Sequence, residues 1–279
     1  MSKRHLVRHY HLLQERFRQD FEEVVATQSI GSIHRLRVGI KQLRAFWSFL
    51  EMASQGQFNA WPYRQLYRPL FKKAGQVREA QITLRLIKKK KAAYLRAFAN
   101  HLHAVQAEGQ QALGQALSNF DLPQADQLDQ SLLVQVGRLS EEKVLHDAAV
   151  FVLRHIREVA VLQQQLPDEH KLHRIRIRLK AVDAMSGIMR EIRSSHGLDK
   201  WQQAIRALNI DIGQWHDQIV LLRALQHYIP LTANQHERKR MQSWSFQLAF
   251  HQMETQAHIH HRLMKFFRHP NMSVLEHML

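Results

Sequence analysis

An eleven-residue run that occurs twice constrains this chain more than any other feature. The first copy, HRLRVGIKQLR, starts at His34; the second, HRIRIRLKAVD, starts at His173, an offset of 139 residues (173 minus 34). At about 100° per residue, His34, Arg37, Lys41 and Arg44 fall within an arc of roughly 80° on a helix. Leu36, Ile40, Leu43, Phe46, Trp47 and Leu50 take the opposite arc. The second copy keeps His173, Arg176 and Lys180 at the same spacing and repeats the apolar set as Ile175, Leu179, Val182, Met185 and Met189. A basic stripe opposite an apolar one is ordinarily the wet face of a bundle helix. Its return with both faces intact favours a duplicated unit with a shared task.

A second pair of motifs agrees with the first. GQVREAQITLRLI begins at Gly75 and GQWHDQIVLLRAL at Gly213, an offset of 138 residues (213 minus 75), so that Glu79 matches Asp217. Chance likeness between amphipathic helices does not readily produce two offsets that agree within one residue. The motif has a purely architectural reading too: glycine permits close helix approach, and an acid near a helix start suits the dipole.

Apolar periodicity predicts helices nearly throughout. The first covers about residues 3–26 with Leu6, Tyr10, Leu13, Phe17, Phe21 and Val24 on one face. The HRLR helix follows to about Ala53, with Ser29 and Ser32 as cap residues. A third starts near Phe58, with Pro62 in its first turn and a kink or early end at Pro69. One helix of roughly 60 Å is expected from Gln76 to about Leu117. Ser118 to Gln130, with Pro123 and three aspartates, reads as the boundary between a first unit, residues 1–125, and a second, 126–279. The second unit repeats the plan at about 140–165, then the HRIR helix to about Arg193, then 198–210, 214–228 and a long terminal helix from about Ala233 to Phe267. Ten glycines and six prolines in 279 residues leave the fold class all-α.

Forty Lys plus Arg against 24 Asp plus Glu give a formal net charge of +16, which implies an anionic partner without naming it. The absence of cysteine excludes a disulfide framework and thiolate chemistry. The N-terminal stretch is charged throughout and lacks the apolar core of a signal peptide, and no run approaches the ~18 apolar residues of a membrane span. The expectation is a soluble, cytoplasmic protein with no membrane partner. There is no Gly-rich phosphate loop, HExxH pair or GxSxG elbow. Magnesium-dependent phosphoryl chemistry needs clustered carboxylates, and the basic stripes have none beside them except Asp183. The reading is therefore a binder with no catalytic residue and no cofactor. His251, His258, His260 and His261 lack the carboxylate or thiolate that completes most metal sites, so no metal is expected. Lys88 to Lys91 read as a solvated face inside the long helix, and the five tryptophans as core anchors.

At the two basic runs the chain resembles the CHAD domains, all-helical domains named for their histidines that bind inorganic polyphosphate. The family pattern is close to H-x-L-R-V-x-x-[RK]-x-L-R in its first copy and H-x-[LI]-R-I-x-x-K in its second. Asp183 departs from it, standing where a basic counterpart of Arg44 belongs. Ala74 to Glu79 and Ile212 to Asp217 resemble the family's L-G-x-x-R-D-like turn at the start of a longer helix, with His216 in place of Arg78. The resemblance implies one domain over residues 1–279, built of two four-helix bundles related by internal duplication, with long helices and a central basic groove between the HRLR and HRIR helices. It implies polyphosphate binding by His34, Arg37, Lys41, Arg44, His173, Arg176 and Lys180, extended to Arg78 and His216. Arginines would fork to phosphate oxygens, lysines act as compact charges and histidines donate hydrogen bonds. Histidines near their ~6.5 reference value would tighten binding between pH 8 and 6. Association with polyphosphate granules in the cytoplasm is also implied. A nucleic-acid-binding protein that holds the sugar-phosphate backbone is the alternative, though no helix-turn-helix, zinc finger or RNP-type sequence specifies one.

Overall fold

The apolar stripes of the two basic helices are buried as their spacing predicts: Leu36, Ile40, Leu43, Phe46, Trp47 and Leu50 in the first, Ile175, Leu179, Val182, Met185 and Met189 in the second. A computed structural model describes residues 3–140, 143–192 and 196–268, the side chains of 190–192 and 196–198 apart. Among the described residues the fold is all-α. The helices are α1 (Lys3–Thr27), α2 (Ile30–Ala53), α3 (Trp61–Lys90), α4 (Arg96–Ser118), α5 (Leu122–Arg138), α6 (Lys143–Leu162), α7 (Glu169–Ile192), α8 (His196–Tyr228) and α9 (Gln235–Arg268), with single 3-10 turns at Ala93–Leu95 and Ile229–Leu231.

Helices α1 to α4 pack on one another in chain order, and α6 to α9 do the same. Contacts of α2 with α6 and α7, and of α3 with α8, join the two sets. A continuous core therefore runs from Leu6 on α1 to Phe266 on α9. A smaller cluster, with Ile87, Phe98, Leu225 and Met241, joins the end of α3 and start of α4 to the end of α8 and start of α9. Ser29 caps α2, its side chain accepting the Ser32 N–H at 3.0 Å. Helix α5 starts within the stretch expected to separate two units. Asp121 caps it and Pro123 fills its first turn, and it packs on α1 and α3. The Tyr10 hydroxyl and the Gln14 amide both donate to Asp129, and Arg18 pairs with Asp126.

Four expectations are corrected. Pro69 does not end α3, which continues to Lys90. Proline deprives the carbonyl one turn earlier of its N–H partner, but Pro69 and Gln65 are both exposed, so water can serve that carbonyl. The helix expected over 76–117 is two: Lys88 to Lys90 form the last turn of α3, where cations suit the dipole, Lys91 adopts φ 49°, and the chain packs back along α3 as α4. Helix α8 runs through Gly213 without a break between 210 and 214; a single interior glycine costs only ~1 kcal/mol. Among the tryptophans, Trp47, Trp201, Trp215 and Trp244 are core, whereas Trp61 at the start of α3 is 62% exposed. No helix among the described residues is long and apolar enough to cross a membrane.

Candidate functional site

Burying the apolar arcs of α2 and α7 against the core leaves their basic arcs together, because α2 packs on α7. The consequence is electrostatic. Lys41 feels the positive charges of Arg37 and Arg44 on its own helix and of Arg176 and Lys180 across the contact. Arg176 also presses on Arg37, and Lys180 on His34. Helix α3 adds Arg78, which presses on His34 and Arg37. Helix α8 adds His216, whose ring centroid lies 5.8 Å from that of His173, nearly perpendicular to it. All nine predicted residues thus belong to one interacting set, which Arg44 joins through Lys41. Arg44 sits at its edge beside Arg64, itself paired with Glu51.

Burial and crowding act in the same direction on these cations. Desolvation, then the like charges of Arg37, Arg176, Lys180 and Arg44, push the Lys41 ammonium down to about 7. Arg37 falls to about 10, chiefly through desolvation, with Glu79 opposing and Arg176 and Arg78 adding. Arg44, Arg78, Arg176 and Lys180 are all lowered, again mainly by desolvation. The expectation that the histidines sit near their reference value is corrected. Desolvation and neighbouring cations lower His34 and His173, and His216 falls to about 4. The Lys41 ammonium, at about 7, is poised to gain a proton between pH 8 and 6.

The first basic stripe has a seat that sequence reasoning missed. Arg37 Nη1 donates to the Phe71 carbonyl at 2.7 Å, and its guanidinium lies 4.4 Å from the centre of the Phe71 ring. Arg44 and Lys41 approach the same ring at 5.3 and 5.9 Å. Facing the quadrupole of an aromatic ring favours each cation. One turn further along α3, a Cβ at Gly75 would stand 2.5 Å from Arg37 Nη1. Gly75 therefore makes room for a guanidinium in mid-helix and does not open a turn, as the sequence suggested.

The corresponding seat on α7 and α8 differs. Asn209 stands 138 residues after Phe71 (209 minus 71) and donates to the Leu179 carbonyl at 3.1 Å. A Cβ at Gly213 would meet nothing within 4 Å, and the Arg176 Nε is buried without a partner. Two carboxylates temper the cluster in matched positions: Glu79 acts on Arg37 and Asp217 on Arg176. Asp217 is also bound to Arg85 at 2.9 Å, which ties α8 to α3. Asp183 pairs with Arg206 at 3.0 Å and accepts from Gln202 at 3.4 Å, so its charge is shared with α8 and is not turned on the basic stripe alone. Such an arrangement can hold an anion by charge and by N–H donors. Among the described residues no group of three or more His, Asp or Glu is placed to hold a metal.

Comparison with known proteins agrees with this architecture. A crystal structure of the CHAD domain from the plant Ricinus communis superposes with a TM-score of 0.74 at 17% sequence identity, covering 90% of this chain and 88% of that one. No curated protein sequence matches the chain. The family model for the CHAD domain matches residues 11–226, a span that contains both basic runs and both glycine motifs. The chain belongs to the CHAD domain family.

Proposed function

We propose that this protein binds inorganic polyphosphate in a basic groove between α2 and α7, without catalysing a reaction on it, and that it does so in the cytoplasm on polyphosphate granules. The observation that carries the reading is a cation cluster with too little opposing charge. Arg37, Lys41, Arg176 and Lys180 crowd together with Glu79, Asp217 and Asp183 as their carboxylate neighbours, and Asp217 and Asp183 are already engaged by Arg85 and Arg206. Desolvated like charges raise the free energy of the empty site, so an anion threaded among them relieves repulsion as well as adding hydrogen bonds. Arginines fork to non-bridging oxygens, Lys41 and Lys180 supply compact charges, and neutral His34, His173 and His216 donate ring N–H bonds. Affinity then comes from many modest contacts and from released counterions. Family membership supports the same ligand.

Polyphosphate is favoured over nucleic acid by the compactness of the cluster. Cations from α2, α3 and α7 act on one another at a single place, which suits a densely charged single strand, and the Phe71 ring, which could otherwise stack a base, is already covered by cations. The net charge of +16 would still attract a nucleic-acid backbone. Competition separates the two: polyphosphate of defined length should displace duplex DNA and RNA at far lower phosphate concentration. DNA of matched charge competing equally would overturn the reading. Affinity should also fall steeply with salt, and a flat response would argue against charge-driven capture.

A further inference from the structure

A cleft of about 880 Å³ lies between the second half of α3 and the first turns of α4, outside the nine residues already discussed. Lys88, Lys91, Arg96 and His103 line it together with Arg85, whose charge is met by Asp217, and none of its lining residues is acidic. The lysine run at the end of α3 divides here: Lys88 and Lys91, three residues apart, share the cleft, whereas the Lys90 ammonium lies 5.8 Å from the Trp244 ring. The start of α4 brings no compensation, since its first turn holds no acid and its N-cap makes no side-chain bond.

Gln81 connects this cleft to the central cluster. It lines the cleft and is only 4% exposed. Its Oε1 accepts from Arg78 Nη1 at 3.4 Å, while its Nε2, a two-proton donor, has no partner. A buried amide donor without an acceptor costs free energy unless a ligand supplies one. At the other lip, Ile30 opens α2 one turn before His34 and is 59% exposed.

We infer that this cleft is a second tract of the polyanion site, taking the part of a long phosphate chain that emerges past His34 and Arg78. The inference rests on the polyphosphate reading and adds a length dependence to it. Lys88 lies about 15 Å beyond Arg78 along α3 at ~1.5 Å per residue, so a short chain held centrally does not reach it and a long one does. Gln81 Nε2 donates to a phosphate oxygen at the junction, and Lys88, Lys91 and Arg96 neutralise the units beyond.

The test uses the full chain, with tripolyphosphate and a long-chain polyphosphate as probes, titrated at several salt concentrations. In the triple variant Lys88→Ala, Lys91→Ala, Arg96→Ala, long-chain affinity should fall about tenfold and its log–log salt slope by about 2, as expected for about three lost phosphate contacts. Tripolyphosphate affinity should stay as in the wild type. A control with the same charge change on α1, Arg4→Ala, Arg8→Ala, Arg16→Ala, should leave both probes unaffected, and far-ultraviolet circular dichroism should report intact helices in both. Equal loss for the two probes, no loss for either, or a matching loss in the α1 control would overturn the second tract while leaving the central site standing. Failure of the wild type to bind either probe would remove the polyphosphate reading itself.

Discussion

The two basic seats share a sequence pattern and differ in how their arginines are held. On α2, Arg37 is fixed by the Phe71 carbonyl and ring and fits the space left by Gly75. On α7, Arg176 keeps a buried Nε without a partner, its neighbourhood has Asn209 where the first seat has a ring, and Gly213 faces open space. The first seat is preorganised in the absence of ligand, which reduces the ordering cost of binding. The second retains an unmet donor that a phosphate oxygen can satisfy. On the proposed function, one half would position a phosphate chain, and the other would gain most from its arrival.

The sharpest way to break this comparison is to fill the two glycines. Gly75→Ala should displace Arg37 and weaken polyphosphate binding about 10- to 100-fold, the loss of a charge-assisted hydrogen bond worth about 1.5–3 kcal/mol. The fold should barely change, because the atom in the way ends a flexible side chain and alanine favours helix by ~1 kcal/mol. Gly213→Ala should instead raise thermal stability slightly and leave binding unchanged. Equal effects at the two positions in titration and melting would erase the distinction between the seats.

The next effect is a proton. Free Lys41, held near 7 by desolvation and neighbouring cations, is mostly neutral at pH 8.5, and a bound polyanion favours its charged form. Binding should therefore take up about one proton in that range and tighten as pH falls from about 9 to 7, by up to tenfold per unit. Calorimetry in buffers of different ionisation enthalpy measures the uptake. Lys41→Arg should abolish the uptake while retaining affinity, and uptake that persists in that variant would assign it elsewhere. The same shift bears on stability. A folded-state value below the unfolded one means the unfolded chain binds more protons between the two, so the contribution of Lys41 makes the fold more stable as pH rises from about 7 through 10.

Smaller effects refine the picture. Phe71→Leu keeps bulk but removes the ring quadrupole, and should weaken binding by about 0.5–2 kcal/mol, several-fold or more; an unchanged constant would reduce Phe71 to a carbonyl acceptor. Asp183→Asn should change affinity by about twofold at most, since an exposed pair such as Asp183 and Arg206 contributes about 0–1 kcal/mol. A large gain in affinity would mean that Asp183 opposes the ligand directly.

How far the sequence carried these conclusions can be judged from the same residues. Periodicity is a direct record of burial, so α1, α2 and the core faces of α2 and α7 were legible, as was the class of fold. Interruptions were read less well because proline, glycine and lysine act through context. Pro69 is tolerated where water meets the freed carbonyl, and Gly213 is carried by 33 residues of α8. Lys91 turns the chain with no glycine to announce it. Those errors hid the seat. With the third helix stopped near Pro69 and a new one begun at Gln76, Phe71 and Gly75 fell in a connection, and their shared face, four residues apart, was invisible. The charges of the candidate site were legible as types and spacings, whereas their pKa shifts depend on neighbours from four helices.

The central claim is that α2 and α7 contribute to one site. Calorimetric titration with tripolyphosphate tests it in the wild type, in Arg37→Ala/Lys41→Ala, in Arg176→Ala/Lys180→Ala and in the fourfold variant, with circular dichroism confirming helical content. The account predicts one ligand per chain, near-complete loss in either double variant and little further loss in the fourfold one. Two independent sites per chain with additive losses, or affinity retained in the fourfold variant, would contradict it.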